Sequence, residues 1–147
     1  MISIGEAQTR TEIDAAIALQ LRVFCDEQGI AKDECLEGND TALILVARDG
    51  NDVVATARLR DLGSQVAEVA RIAVLPAYRG RGIAARLLAA LDAAAETHGV
   101  RRLVMHPHAH LEGFYASLGY SVTDDAAYRI GDHLIITMDK YLAGPNT

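Results

Sequence analysis

Two glycines and two arginines stand in the segment Arg79-Gly80-Arg81-Gly82-Ile83-Ala84, where a β-like run gives way to a helical pattern. The first turn of a helix carries backbone N–H groups without intrahelical partners, and the helix dipole favours negative charge at that end. Glycines let the backbone come close to a ligand because they have no Cβ. The segment therefore predicts a binding site for a phosphate or pyrophosphate group.

The same glycine spacing occurs in nucleotide-binding folds. Gly80, Gly82 and Ala85 satisfy the bare Rossmann pattern, but that turn follows its strand directly and an acidic residue for the ribose stands about 20 positions later. Here residues 76–78 intervene, and the next strand ends at Met105-His106. A phosphate loop of the Walker type is excluded because no Gly-Lys-Ser/Thr follows at the required distance. A Rossmann-like protein is the weaker alternative.

The elements that must position this segment follow from the apolar spacing. Thr9 and Glu12 form a capping-box pattern, which predicts a first helix from about Thr11 to Gln28 that Gly29 ends. The acidic segment Ile30–Thr41 is predicted to be a long loop or a short helical turn.

Three β-like runs separated by turn signals occupy the middle of the chain and predict an antiparallel meander. They are Ala42–Arg48, Val53–Arg60 and Val66–Leu75. A second helix that ends at Gly99 leads to a strand over Arg102–His106, and this order predicts a right-handed parallel crossover.

The last part of the chain predicts a helix from about Ala109 to Leu118 and two β-like runs, Tyr120–Thr123 and His133–Tyr141. Together the elements predict an α+β fold with a mixed antiparallel and parallel sheet flanked by helices. One domain spans residues 1–143, and residues 144–147 are expected to form a loose tail.

Length and charge limit the function classes. A chain of 147 residues fits one domain, and a formal net charge of −6 without clustered Lys and Arg argues against nucleic-acid binding. Short apolar stretches and the absence of an export pattern argue against membrane insertion and secretion. Cys25 and Cys35 lack zinc spacing and are interpreted as reduced thiols in a cytoplasmic protein.

The glycine-rich segment resembles the signature of the GNAT superfamily of N-acetyltransferases, Arg/Gln-x-x-Gly-x-Gly/Ala, through Arg79, Gly82 and Ala84. Three further segments are similar to that family: Arg22-Val23-Phe24-x-x-Glu27-Gln28-Gly29, Arg71-Ile72-Ala73-Val74-Leu75-Pro76 and Phe114-Tyr115-x-x-x-Gly119-Tyr120. The first of them resembles the small bacterial branch called ElaA-like or YjcF-like. The resemblance covers nearly the whole chain.

This resemblance implies the GNAT fold and direct transfer of an acetyl group from acetyl-CoA to a primary amine of a small molecule or peptide. It implies that backbone groups of the strand pair with the pantetheine arm, and that those of the loop hold the pyrophosphate. These residues are Ile72, Ala73 and Val74 in the strand, and Arg79, Gly80, Arg81, Gly82, Ile83 and Ala84 in the loop. A CoA-binding regulatory module without catalysis is the alternative.

The resemblance also implies that Tyr115 is the general acid. A phenol of pKa about 10 can donate a proton to a thiolate whose conjugate acid has a pKa near 8.5. Deprotonating a lysine-like amine of pKa about 10.4 at pH 7 costs about 4.6 kcal/mol, at 1.36 kcal/mol per unit. Glu68 is the first candidate for the base, with His106, His108 or water as alternatives.

The resemblance to the ElaA-like branch implies that the amine acceptor binds beside the acidic segment that follows the first helix. Its carboxylates predict a cationic acceptor, because their negative field concentrates an ammonium group. They are Asp33, Glu34, Glu37 and Asp40. His108 is placed on the acceptor side too, since the branch leads us to expect Ala-Gln where this chain has Pro107-His108.

Histidines alternate at positions 106, 108 and 110, a spacing that can belong to a metal site. Pro107 interrupts the strand geometry between the first two, so no metal is predicted. A homodimer is compatible with the sequence and is not assigned.

Overall fold

The computed structural model describes residues 1–37, 39 and 42–142. The predicted acceptor residue Asp40 and the predicted tail, 144–147, lie outside the described residues. The strands are β1 Ile2–Glu6, β2 Ala42–Asp49, β3 Asp52–Gly63, β4 Val66–Val74, β5 Arg102–Met105, β6 Ser121–Val122, β7 Tyr128–Ile130, β8 His133–Ile135 and β9 Met138–Tyr141. The α-helices are α1 Arg10–Gln20, α2 Lys32–Leu36, α3 Ile83–Thr97 and α4 Glu112–Ser117.

Seven strands form one sheet in the order β1-β2-β3-β4-β5-β9-β6, and β7 pairs with β8 in a separate hairpin. The predicted meander is confirmed, because β2, β3 and β4 pair antiparallel in sequence. The predicted parallel pair is confirmed as well, since β4 and β5 run in the same direction on either side of α3.

The two faces of the sheet are covered by different helices. Successive residues of a strand point to opposite faces, and β2 shows this directly: Leu45 packs in the same buried cluster as Leu87 of α3, whereas Val46 packs against Ala16 of α1. The predicted α+β class is thereby confirmed.

The first helix departs from the prediction at its C-terminal end. Its start is as expected, because the Thr9 hydroxyl accepts from the Glu12 N–H at 3.1 Å and the Glu12 carboxylate accepts from the Gln8 N–H at 2.9 Å. After Gln20, however, the chain continues as a π-helix over Leu21–Glu27. The predicted helical span, to about Gln28, is therefore confirmed, but its second half has π-helical geometry, and this wider turn is of a kind that often marks a functional site.

Two strand predictions were incomplete. β1 was not predicted, because five residues with only two large apolar side chains give a weak signal, yet it pairs with β2 along its whole length. The single run predicted over His133–Tyr141 is wrong, since β8 belongs to the hairpin and β9 to the main sheet. The chain changes partners between them at residues 136–137.

Candidate active site

β4 leaves its parallel neighbour partway along its length. β5 pairs with it only from Val66 to Glu68, whereas β4 continues against β3 as far as Val74. The β3–β4 register shifts by a bulge at Arg71, whose φ of 54° lies in the left-handed region. A bulge bends its strand and re-aims side chains, and a cavity of about 600 Å³ opens beside it.

This cavity is lined from several elements. The π-helix, β3, β4, α4, the segment after β5 and the β7–β8 hairpin all contribute. Its ionisable lining side chains are Glu37, Arg58, Arg60, Glu68, Arg71, His106, His108, His110, Tyr115, Tyr128 and His133.

The glycine-rich loop lies beyond the end of β4, after a short 3₁₀ turn. Gly80 and Gly82 have φ of 78° and 75°, and a Cβ at either position would meet no atom within 4 Å. The N–H groups of residues 80–82 donate to no backbone or side-chain acceptor among the described residues. Ile83 then begins α3, a helix of 15 residues, so its first-turn N–H groups face the same space. The loop is an open cradle of backbone donors.

Arg79 connects this loop to the rest of the site. Its Nε donates to the Val74 carbonyl at 2.9 Å, and its Nη2 contacts both carboxylate oxygens of Glu27 at 3.0 Å. Glu27 is the last residue of the π-helix. The ion pair therefore joins the glycine-rich loop to the opposite wall of the site, a contact that the sequence did not reveal.

The end of β4 has one edge that faces away from β3. Leu75 donates its N–H to the Val54 carbonyl of β3, and Ala73 lies opposite Thr56 in the same ladder. Because backbone polar groups of successive residues point to alternating edges, those of Ile72 and Val74 point toward the gap beside β5. An extended ligand arm can pair with this edge.

Tyr115 reaches the cavity from α4, with its residue only 6% exposed. Burial raises the pKa of Tyr115 to about 12, so the phenol is neutral at physiological pH. Its hydroxyl makes no hydrogen bond to a described residue, whereas the ring lies 6.2 Å from that of Tyr120 in an edge-to-face arrangement. A neutral donor without an internal acceptor is thus directed at the cavity.

Glu68 lies on β4 below the bulge, and its side chain is 15% exposed. Its Oε1 is 3.5 Å from Arg58 Nη2 and 3.4 Å from Arg60 Nη2, while Oε2 is 4.0 Å from His106 Nε2. The structure thus brings Glu68 and His106, two of the predicted candidates for the base, together on one wall.

His108 also lines the cavity and packs against His133 of β8, with ring centroids 4.6 Å apart and the ring planes tilted by 42°. Burial lowers the pKa of His108, and the neighbouring His133 and His110 lower it further, which favours a neutral imidazole. Among the described residues no group of three His, Cys, Asp or Glu side chains is arranged to hold a metal ion.

The fold places the carboxylates of the acidic segment on different surfaces. Glu37 lines the cavity, whereas Asp33 and Glu34 lie on the exposed surface of α2 outside the cavity lining. Glu34 contributes its backbone carbonyl, which accepts from Arg71 Nη2 at 2.7 Å.

Sequence reasoning missed the two arginines on β3. Arg58 and Arg60 are two residues apart, so they share a face of the strand, and they lie opposite Ala70 and Glu68 of β4. The period-two spacing was the available signal, but the register that sets them beside Glu68 is a tertiary property.

The chain is similar to known acetyltransferases in sequence and in fold. The pattern of the acetyltransferase (GNAT) family matches residues 11–120. A crystal structure of a candidate N-acetyltransferase from Lactobacillus plantarum is 28% identical with a TM-score of 0.88, covering 97% of this chain and 99% of that one. Escherichia coli ElaA is 20% identical with a TM-score of 0.85, covering 95% and 99%. An aminoglycoside 6′-N-acetyltransferase complexed with coenzyme A is 17% identical with a TM-score of 0.77, covering 100% and 99%.

The chain belongs to the acetyltransferase (GNAT) family, and the family prediction from the glycine-rich loop is confirmed. The less similar structures show that ElaA and the aminoglycoside enzyme share its fold. The protein is an N-acetyltransferase by family. No helix among the described residues is long and apolar enough to cross a membrane.

Proposed function

We propose that this protein transfers an acetyl group from acetyl-CoA directly to a primary amine of a small molecule or peptide. The observation that carries the proposal is the open backbone cradle at Gly80 and Gly82, joined by β4 to the cavity that Tyr115 enters. We call residues 72–84 the donor half and the cavity walls around Glu68 and His108 the acceptor half.

The donor half fits coenzyme A by its chemistry. Backbone N–H groups of residues 79–84 and the dipole of α3 suit the pyrophosphate. The free edge at Ile72 and Val74 suits the amide groups of the pantetheine arm, which needs alternating donors and acceptors. Arg79 occupies the Val74 carbonyl in this structure, so pairing of the arm requires that side chain to move toward the phosphates.

The reaction needs two proton movements. The neutral amine attacks the thioester carbonyl, a C–N bond forms, the C–S bond breaks, the nitrogen loses a proton and the sulfur gains one. Tyr115 donates a hydrogen bond to the leaving sulfur. Its raised pKa, about 12, makes full transfer to a thiolate of pKa about 8.5 uphill by roughly 5 kcal/mol. The phenol therefore acts chiefly by stabilising the charge on sulfur, which then takes its proton from solvent water.

The acceptor half supplies the other proton path. Glu68 Oε2, beside His106, accepts the amine proton directly or through water, while Glu37 and His108 form the surrounding walls. The predicted contributions of Glu34 and Asp40 to acceptor binding stay predictions. Cys25 and Cys35 are both free thiols, which fits the proposed action in the cytoplasm.

A thiol-release assay with acetyl-CoA and a broad panel of primary amines tests this function, with mass spectrometry of the N-acetyl product. We expect stoichiometric release of CoA and a gain of one acetyl group on the amine. Binding of CoA without turnover of any amine would contradict the proposal and indicate a binding module.

A further inference from the structure

The acceptor half carries an excess of positive charge, although the whole chain has a net charge of −6. Among the described Arg, Lys, Asp and Glu residues, three arginines and two glutamates line the cavity. They are Arg58, Arg60, Arg71, Glu37 and Glu68. One positive charge therefore remains on these walls, and a purely cationic acceptor gains little attraction from them.

Arg58 is the most buried of these arginines, with only 3% of it exposed. Its Nη1 donates to two neutral acceptors, the Glu37 carbonyl and the Asn39 side-chain oxygen, and its Nη2 lies 3.5 Å from the Glu68 oxygen that Arg60 also approaches. Burial lowers the pKa of Arg58, and the positive charge of Arg71 lowers it further. A desolvated cation in this position is stabilised by an anion.

The neighbouring arginines, Arg60 and Arg71, bring no further carboxylate to Arg58. Arg60 Nη2 approaches the same Glu68 oxygen as Arg58, and Arg71 donates to the carbonyls of residues 34 and 35. The Nε atoms of Arg58 and Arg60 are buried and have no hydrogen-bond partner among the described residues. Two guanidinium groups therefore share one carboxylate oxygen and keep unused donors.

We propose that the acceptor is an amine that also carries a carboxylate, such as an amino acid, and that Arg58 and Arg60 bind this carboxylate. This inference rests on the proposed function and names the substrate class of the same site. Guanidinium groups bind carboxylates through paired N–H donors, and the carboxylate balances the one excess charge when the amine is in its neutral, reactive form. Glu68 Oε2, which faces His106 rather than an arginine, lies on the same wall for the amine proton.

The first experiment compares matched acceptors. The twenty L-amino acids are screened with acetyl-CoA by thiol release, and the best substrate is compared with its carboxamide and its decarboxylated amine. We expect both analogues to lose at least tenfold in kcat/KM, mainly through KM. The carboxamide has the less basic amine and so more of the reactive neutral form, which means that its loss cannot come from protonation.

Variants of Arg60 test whether the selectivity for the carboxylate arises at the proposed site. Arg60→Gln should raise KM for the amino acid about tenfold and leave KM for acetyl-CoA and for the carboxamide nearly unchanged. Arg60→Lys should restore part of the difference because it keeps the charge but loses the planar fork. The matched control is Arg101→Gln, which removes an exposed arginine outside the cavity lining and should change none of these constants.

Calorimetric titration of the amino acid into CoA-loaded protein separates the two proposals. Binding that Arg60→Gln weakens, without turnover, would support the carboxylate site and overturn the acetyl transfer. Turnover of the carboxamide or the decarboxylated amine as good as that of the acid would overturn the carboxylate site and leave acetyl transfer standing. Neither binding nor turnover across the panel would overturn both.

Discussion

The donor half is made of backbone from one continuous stretch, residues 72–84, whereas the acceptor half is made of side chains from several separate segments between Phe24 and Ile135. In the donor half, the proposed recognition of coenzyme A rests on φ angles and on N–H groups at a helix start. In the acceptor half it depends on which side chains the fold brings together, such as Arg58, Glu68 and His106.

This difference explains which amino-acid substitutions each half can tolerate. A backbone site can accept many side chains but cannot accept a Cβ where the conformation requires glycine. A side-chain site can change its ligand by single substitutions while the fold remains intact. The donor half therefore suits a ligand common to a family, and the acceptor half suits the ligand that distinguishes one member.

The largest expected effect comes from breaking the backbone cradle with Gly82→Asp. The substitution adds a Cβ at φ 75° and a negative charge where the pyrophosphate is proposed to bind. We expect the increase in Tm caused by CoA to disappear and kcat/KM to fall at least about 100-fold. Gly50→Asp is the control, because its φ of 62° carries the same backbone strain in a distant open turn. A CoA-induced shift that survives in the Gly82 variant would contradict the site.

A smaller loss is expected at the boundary of the two halves, from Tyr115→Phe. Only the hydrogen-bond donor to the leaving sulfur is removed, so we expect kcat to fall about 10- to 100-fold with CoA affinity unchanged. Tyr120→Phe serves as the control: its ring is the edge-to-face neighbour, and its buried hydroxyl has no partner among the described residues. Losing that hydroxyl should be neutral or stabilise the fold by about 1 kcal/mol.

If both tyrosine variants lowered kcat equally, packing of the aromatic pair rather than proton donation would account for the loss at Tyr115. Circular dichroism and Tm values of the two variants should be close to those of the wild type.

The link between the halves offers a finer test through Glu27→Gln. The Glu27 and Arg79 side chains are 34% and 46% exposed, and exposed pairs contribute about 0–1 kcal/mol. Releasing Arg79 from this pair should tighten CoA binding by up to about fivefold, and raised salt should reduce the difference from the wild type. Titration calorimetry at two salt concentrations measures this difference in CoA affinity. Weaker CoA binding in the variant would show that Glu27 positions Arg79 for the ligand instead.

The smallest effect concerns the attachment of α1 to the sheet; α1 leads directly into the π-helix, which lines the cavity. Hydrogen bonding to Arg48 on β2 lowers the pKa of Glu12 to about 2 from an ordinary 4.5. A depressed carboxyl pKa stabilises the fold fully above about pH 4.5, and that contribution is lost as the pH falls toward 2. The Tm difference between the wild type and Glu12→Gln should therefore be greatest at neutral pH and shrink through pH 4 and 3. A difference independent of pH would contradict the ion pair as its source.

The sequence by itself determined the donor half and most of the frame. The glycines at 80 and 82, the Arg79 motif and the start of α3 are neighbours in the chain, so local rules for helix starts and glycine conformations apply to them directly. The meander and the parallel crossover were also predictable, since strand periodicity and turn signals are local.

Only the tertiary structure decided the acceptor half. The bulge at Arg71 and the register that sets Arg60 opposite Glu68 depend on strand pairing. The contact between the His108 and His133 rings depends on a hairpin that the sequence pattern did not separate from β9. Such contacts form between residues distant in the chain, where local propensity carries no information about partners. That is why an acidic segment suggested a cationic acceptor, while the folded cavity presents arginines.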